Sequence, residues 1–206
     1  MKSLRKQIFY RDLTFNIFEN VYEPSEDTFL AADNLTVNEE DQVLDMGTGC
    51  GILAILAAQK ARKVVAVDLN PHAVRCAQKN AETNKLANKI DVRKGNFFQP
   101  VHNGEVFSLV VFNAPYLPSD PDEERSWLGK SWAGGPKGRQ LIDKFILEAP
   151  CHLEKKGRIL LVQSSLADTN ETLERFRQIN FEAKVIAEKE AFFETIVLLQ
   201  ARKSFM

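Results

Sequence analysis

The 206 residues carry 27 Lys and Arg against 28 Asp and Glu, a formal charge of −1, and 44% of them are hydrophobic. That is enough apolar material for a buried core, while the balanced charge argues against a protein that grips nucleic acid through a basic surplus. No apolar run is long enough to cross a bilayer. Cys50, Cys76 and Cys151 are odd in number and widely spaced, and His72, His102 and His152 lack ligand spacing, so neither a disulfide framework nor a metal site is expected.

The chain opens on a basic arm, residues 1–20, in which Lys2, Arg5, Lys6 and Arg11 crowd together. It lacks the apolar core of a signal peptide, so a cytoplasmic location is expected. A solvated arm is a simpler reading of these charges than a nucleic-acid contact. Ile8 to Phe18 mixes β-branched and aromatic residues, which predicts a short hairpin. A helix begins at Glu26 and closes at Asp33-Asn34. Strands and helices then alternate. Strands are predicted over 42–46, 63–68, 89–93, 107–112 and 157–162. Helices are predicted over 50–60, 71–84 (with Pro71 in its first turn), 139–153 and 170–178. Two last strands, 183–187 and 195–200, are joined by a short connector and should pair antiparallel. Short buried strands separated by helices indicate one α/β domain spanning 1–206, with a parallel sheet covered on both faces.

The loop after the first of these alternating strands reads Asp45-Met-Gly47-Thr-Gly49-Cys-Gly51. Its glycines permit a tight turn and close approach to a ligand. A dinucleotide site would carry G-x-G-x-x-G over a pyrophosphate; here Ile52 occupies the last position and Gly51 comes one residue early. The acid immediately before the glycines suits a cation better than a phosphate. S-adenosylmethionine, with its ammonium and sulfonium groups and no phosphate, meets that requirement. Asp68 ends the next strand, near the roughly 20-residue spacing at which an acid reaches ribose hydroxyls. Either feature alone could be structural, since an Asp at a strand end often caps a helix; together they favour a ligand. Gly95-Asn96-Phe97 follows the next strand and admits two readings, an adenine contact or a turn with Phe97 in the core.

The strand over 107–112 runs straight into Asn113-Ala114-Pro115-Tyr116. In an open α/β sheet ligands sit outside the carboxyl ends of the strands, so this loop should face the cofactor. The Asn113 carbonyl and a neighbouring backbone carbonyl can accept the two hydrogens of an amide or aryl amine, whose delocalised lone pair makes it a poor nucleophile. Tyr116 can stack on the planar group. These residues predict a methyltransferase acting on a planar nitrogen.

With those motifs in place, the chain resembles the release-factor glutamine methyltransferases of the HemK family, in particular the short archaeal and eukaryotic branch. Besides the two loops, the resemblance rests on Tyr22-Glu-Pro-Ser-Glu-Asp-Thr28, Asp68-Leu-Asn-Pro-His-Ala-Val and Trp132-Ala-Gly-Gly-Pro-Lys-Gly-Arg139. It covers nearly the whole chain, without the helical N-terminal substrate domain of the bacterial branch. It implies a class I methyltransferase fold of seven strands with the last antiparallel, and methylation of the glutamine in the Gly-Gly-Gln loop of the class I translation termination factor. On matching positions, Thr28, Asp45, Gly47, Gly49, Gly51, Asp68, Asn96, Phe97 and Asn113 should line the cofactor site. Asn113, Ala114, Pro115 and Tyr116 should hold the glutamine amide, with Trp132 beside it. The resemblance also implies a small zinc-binding activator protein covering a strand edge, here expected near Lys89 to Arg93. Two positions depart from the family pattern: Ala114 replaces a proline but keeps the backbone carbonyl, and Asn96 replaces an acid.

The long segment 117–138 contains Asp120, Asp122, Glu123, Glu124, Trp127 and Trp132, and its length favours a lid over the substrate rather than an idle loop. Tyr22 and Glu26 could orient the cofactor, or Glu26 and Asp27 could simply favour the positive start of a helix. The runner-up function is methylation of the exocyclic amine of adenine, whose chemistry suits the same loop but which normally needs a basic recognition region for base flipping. A regulatory module that only binds the cofactor is opposed by the presence of Asn113, Pro115 and Tyr116.

Overall fold

The computed structural model describes residues 4–204; Lys2 of the basic arm lies outside them. The arm forms the expected hairpin, β1 (Leu4–Tyr10) and β2 (Leu13–Phe18), which pair antiparallel. Its turn is Arg11-Asp12, with Arg11 in the left-handed region (φ 54°). Far from being a free tail, β2 buries Phe15 and Ile17 completely.

After α1 (Glu26–Asn34), the alternation runs β3 (Gln42–Met46), α2 (Ile52–Ala58), β4 (Lys63–Asp68), α3 (Pro71–Thr83), β5 (Ile90–Lys94) and β6 (Phe107–Asn113). It continues through α4 (Gln140–Glu148), β7 (Leu153–Ser164), α5 (Thr169–Gln178), β8 (Phe181–Glu190) and β9 (Thr195–Lys203). Two helices are shorter than their sequence pattern. Gly51, at φ 89°, is the N-cap that delays α2 to Ile52. Pro150 lacks the N–H that an α-helix needs, so α4 stops at Glu148 and Ala149–His152 continues as a 3₁₀ turn.

The large sheet has seven strands in the order β5-β4-β3-β6-β7-β9-β8. Strands β3 to β7 are parallel, and β9 is inserted antiparallel between β7 and β8. The antiparallel pairing of the last two strands is therefore as expected, with β9 the reversed member. From β3 the chain moves outward to β4 and β5, then returns to the other side of β3 for β6 and β7. The carboxyl ends of β3 and β6 flank this reversal, which is where such sheets open a ligand crevice. Their apolar residues explain why they are central: Val43, Leu44, Leu109, Val110 and Val111 are all buried.

The hairpin docks on α3 through asparagines that imitate a neighbouring strand. Asn80 accepts from the Asn16 amide (2.8 Å) and donates to the Asn16 carbonyl (2.9 Å). Asn84 does the same with Thr14 (3.0 and 2.8 Å). Edge groups of β2 that would otherwise need solvent or another chain are satisfied this way. The arm thereby delivers Tyr22 and the start of α1 to the carboxyl edge of the sheet.

Candidate active site

A cavity of about 500 Å³ opens at the point of reversal. Its floor is the loop after β3. The Gly49 amide donates to Asp68 Oδ2 (2.8 Å), and Asp45 Oδ2 accepts from the Thr48 hydroxyl (2.6 Å) and the Ala54 amide (3.1 Å). The two acids hold the glycine turn from opposite sides. At Gly51 a side chain would combine φ 89° with a Cβ 3.0 Å from Ala77 Cβ, so this glycine lets α2 lie close on α3. Asp68 also accepts from the Asn70 amide (2.8 Å), and Asn70 caps α3 by accepting from the His72 amide (2.9 Å).

Asp45 is buried and Asp68 half-buried, at a cost to their charged forms. Burial pushes the Asp45 carboxyl up to about 7, against the Thr48 and Ala54 hydrogen bonds and with help from the nearby Asp68 charge. Burial likewise raises Asp68, against the Asn70 and Gly49 amides. Two carboxyls reluctant to ionise side by side in one cavity form an environment that a cation would relieve. The donor set fits a positively charged ligand.

Asn113 closes β6 on the opposite wall. Its Nδ2 donates to Asp27 Oδ2 (3.0 Å) and to Thr28 Oγ1 (3.3 Å). Only the amino end of an amide can donate to a carboxylate, so this contact fixes which way the group points. Asn113 Oδ1 is left buried and has no hydrogen-bond partner among the described residues. Buried acceptors are almost always satisfied, and this one, on a residue that lines the cavity, is an exception. Asp27 is itself buried and well held, accepting from the Thr28 amide (2.6 Å), the Thr28 hydroxyl (3.1 Å) and the Tyr22 hydroxyl (3.3 Å). Tyr116 lies beside this group. Burial, then the Asp27 charge, raises its phenol well above the usual tyrosine range, so it stays neutral.

The segment 117–138 forms an arch that contributes to the cavity wall. Its stem is laced by backbone bonds: the Leu117 amide donates to Trp132 (2.9 Å), Gly134 to Leu117 (2.8 Å) and Ser119 to Gly135 (3.0 Å). Two 3₁₀ turns, Glu123–Arg125 and Gly129–Ser131, shape the arch. Glu124, Trp127, Lys130 and Trp132 face the cavity, with Lys130 Nζ 4.8 Å from the centre of the Trp127 ring. Arg139 anchors the far end by donating to the carbonyls of Ala167 and Asp168 and to Asp143.

Thr28, Asp45, Gly47, Gly49, Asp68, Asn96, Phe97, Asn113, Ala114, Pro115, Tyr116 and Trp132 all line this one cavity. Gly51 does not; its place is the packing of α2 on α3. Phe97 is buried and packs edge-on against Phe112 (5.7 Å between centroids), as its core reading expects, and it also lines the cavity. Tyr22 lines the cavity, whereas Glu26 points outward to Lys189 (3.1 Å). The residue missed by sequence reasoning is Asp27. Its only signal was its position in a first helical turn, where an acid is ordinary, and nothing showed which of two adjacent acids turns inward.

The fold is shared with solved structures. The chain superimposes on the M. jannaschii tRNA m1G37 methyltransferase with a TM-score of 0.73 and 21% identity, over 97% of this chain and 57% of that one. It superimposes on a chain of the E. cuniculi Mtq2–Trm112 complex, described as responsible for methylation of the eRF1 translation termination factor, with a TM-score of 0.67 and 23% identity, over 90% and 99%. The family model Ribosomal protein L11 methyltransferase (PrmA) matches residues 27–114, the stretch from α1 to the loop after β6. Strand order, crevice and acid-led glycine loop are thus those of the class I methyltransferase fold.

Two relatives narrow the class. A Methanocaldococcus jannaschii protein named as a protein N5-glutamine methyltransferase is 36% identical over 191 residues, covering 92% of this chain and 95% of the relative. Methyltransferase HEMK2 of Homo sapiens is 31% identical over 199 residues, covering 91% and 92%. The chain belongs to this family of protein N5-glutamine methyltransferases.

Proposed function

We propose that this enzyme transfers the methyl group of S-adenosylmethionine to the side-chain amide nitrogen of the glutamine in the Gly-Gly-Gln loop of the class I translation termination factor. The observation that carries the reading is Asn113 on the cavity wall, whose Nδ2 is held by Asp27 and Thr28 while its buried Oδ1 has no hydrogen-bond partner among the described residues. A primary amide presents two N–H groups. Asn113 Oδ1 takes one and the Ala114 carbonyl the other, which draws lone-pair density back onto nitrogen. Tyr116 stacks on the amide plane and fixes its approach. In that arrangement the amide nitrogen would take the methyl, the electron pair of the broken S–CH₃ bond would stay on the departing thioether sulfur, and the released amide proton would pass to solvent water.

The cofactor supplies an electrophilic methyl on a sulfonium. The protein's part is to bind and orient it: Asp68 toward the ribose hydroxyls, Asn96 and Phe97 toward adenine, and Asp45, the glycine turn and Thr28 toward the amino-acid end. The segment 117–138 closes over the bound peptide as a lid. Asp120, Asp122, Glu123 and Glu124 at its tip would repel a phosphate backbone, which favours a protein over the adenine of a nucleic acid. Among the described residues no helix is long and apolar enough to cross a membrane, which fits work in the cytoplasm.

A small zinc-binding activator is the expected partner. Support comes from β5, an edge strand of the sheet, where Ile90 and Val92 alternate with Asp91 and Arg93 and Arg93 bridges Asp91 and Glu105 (2.7 and 2.6 Å). Such an edge is suited to strand addition by another chain. The test of the whole reading is incubation with labelled cofactor and either purified termination factor or nucleic acid, followed by mass spectrometry. One methyl on the Gly-Gly-Gln glutamine is expected; label on nucleic acid with an unmodified factor would replace the reading with adenine methylation.

A further inference from the structure

The most exposed aromatic residues among those described have no part in the site described above. Phe192 and Phe193 form the tip of the β8–β9 hairpin, 92% and 84% exposed, with their rings edge to face at 4.7 Å. The turn is closed by the Ala191 amide donating to the Glu194 carbonyl (2.8 Å), so both rings are presented on a tight support. Two adjacent, nearly naked phenylalanines mark an interaction site more often than an accident.

Topology puts the tip beside the mouth of the cavity. Because β9 runs against β7, its first residue lies at the carboxyl edge of the sheet, the same edge as Asn113. Ile196 pairs with Ser164, and the Thr195 amide donates to Ser165 Oγ (3.0 Å). Lys189 on the incoming strand reaches Glu26 at the start of α1 (3.1 Å). The Glu194 carboxylate acts electrostatically on Tyr22 and Tyr116, both of which line the cavity.

We propose that Phe192 and Phe193 are a docking hook for the folded protein substrate, inserting into an apolar recess on the termination factor beside its target loop. The inference rests on the function proposed above. Charge selects the occupant. Glu188, Glu190 and Glu194 surround the tip, and the one intervening lysine, Lys189, is already paired with Glu26. Such a collar repels anionic lipid headgroups and nucleic-acid phosphates and accepts a neutral or basic polypeptide. Preorganised aromatic anchors flanked by polar groups are what carries affinity in protein interfaces.

The experiment compares the wild-type chain with F192S/F193S and F192L/F193L on two substrates, the full-length termination factor and a short peptide containing its Gly-Gly-Gln sequence. The serine variant should raise KM for the factor roughly 10- to 100-fold, leave kcat within about twofold, and leave KM for the peptide unchanged; the leucine variant should recover most of the loss. Cofactor affinity, measured alongside, reports on the fold, which the exposed tip does not support. An unchanged KM for the factor overturns the hook. So does an equal loss on factor and peptide, because the tip would then act on the pocket. Failure of the wild-type chain to modify the factor at all is a separate result, which removes the proposed function and the hook with it.

Discussion

Asp27 occupies the amino end of the Asn113 amide, and in the proposed reaction the other end, Oδ1, takes a hydrogen of the substrate amide. Two substitutions separate these roles. Asn113→Ala should lower the single-turnover rate roughly 10²–10³-fold, the usual loss on removing one transition-state-directed contact. Asp27→Asn replaces an obligate acceptor by a group that can donate, so the Asn113 amide is no longer held in one orientation; we expect roughly a 10²-fold loss of rate with cofactor affinity retained. Rates near wild type for Asp27→Asn would show that Thr28 alone orients the amide. Asp45 carries a pH signature. Its carboxyl is pushed up to about 7, chiefly by burial. The folded state therefore holds this proton more tightly than the unfolded chain, and the free enzyme loses stability as pH rises from about 4 to about 7. A cationic cofactor reverses the balance by favouring the carboxylate. Its affinity should rise between about pH 6 and 8 and level off above, with proton release visible by calorimetry in buffers of different ionisation enthalpy. Asp45→Asn should weaken binding and flatten that profile; a profile that keeps its slope in the variant would assign the proton elsewhere.

At the scale of elements, the loop after β6 and the arch 117–138 are one construction. Gly138, at φ 68°, lies so close that a Cβ there would overlap the Tyr116 carbonyl oxygen, and Gly134 stands against the Gly138 backbone in the same way. Gly134 and Gly138 of Trp132-Ala-Gly-Gly-Pro-Lys-Gly-Arg139 thus help to position Tyr116. Gly138→Ala should displace the substrate wall and lower kcat/KM roughly 10²-fold, the scale expected for an ångström of misplacement. Cofactor affinity should hold, because the glycine turn after β3 is built separately. Equal losses in both quantities would mean that the damage reaches the β3–α2 loop. The same separation explains the helix ends: Gly51 and Pro150 each stop a helical pattern that the neighbouring apolar residues would otherwise prolong.

For the whole molecule, the bottom of the sheet is held by a buried ion pair. Arg158 on β7 donates to Asp41, just before β3, at 2.8 and 3.2 Å and to the Thr36 carbonyl at 2.7 Å. Burial alone would raise the Asp41 carboxyl, but Arg158, the Asn38 amide and the Ser108 hydroxyl overcome it and hold it down at about 2. A depressed carboxyl stabilises the fold above its unfolded value near 4, and that contribution is lost as pH falls toward about 2. Arg158→Met strands a buried charge and should cost about 3–5 kcal/mol in urea unfolding at neutral pH. The difference from wild type should shrink in acid, once Asp41 is protonated in both proteins. A cost under about 1 kcal/mol would place the pair in effective contact with water.

The order of strands and helices, the glycine turn and the Asn113-to-Tyr116 loop were all legible in the chain, because each is a local pattern. Apolar runs of strand length alternate with helical spacing, glycine appears where the backbone must turn, and Asn and Pro follow directly on a strand. Bringing Asp45, Asp68 and Asn113 to one crevice also followed from sequence, since strand ends in a parallel sheet share an edge. What only the tertiary structure decided was orientation across distant elements. Asp27 and Asn113 are far apart in sequence, and the inward turn of Asp27 rather than Glu26 depends on how α1 packs between the hairpin and the sheet. The docking of β2 onto the asparagines of α3 depends on two surfaces meeting that no single segment specifies. The placement of Phe192 and Phe193 beside the cavity follows from β9 running backward between β7 and β8. Local patterns determine which elements form; which side chains meet is decided by packing, because burial and hydrogen bonding are settled only when all the elements are present.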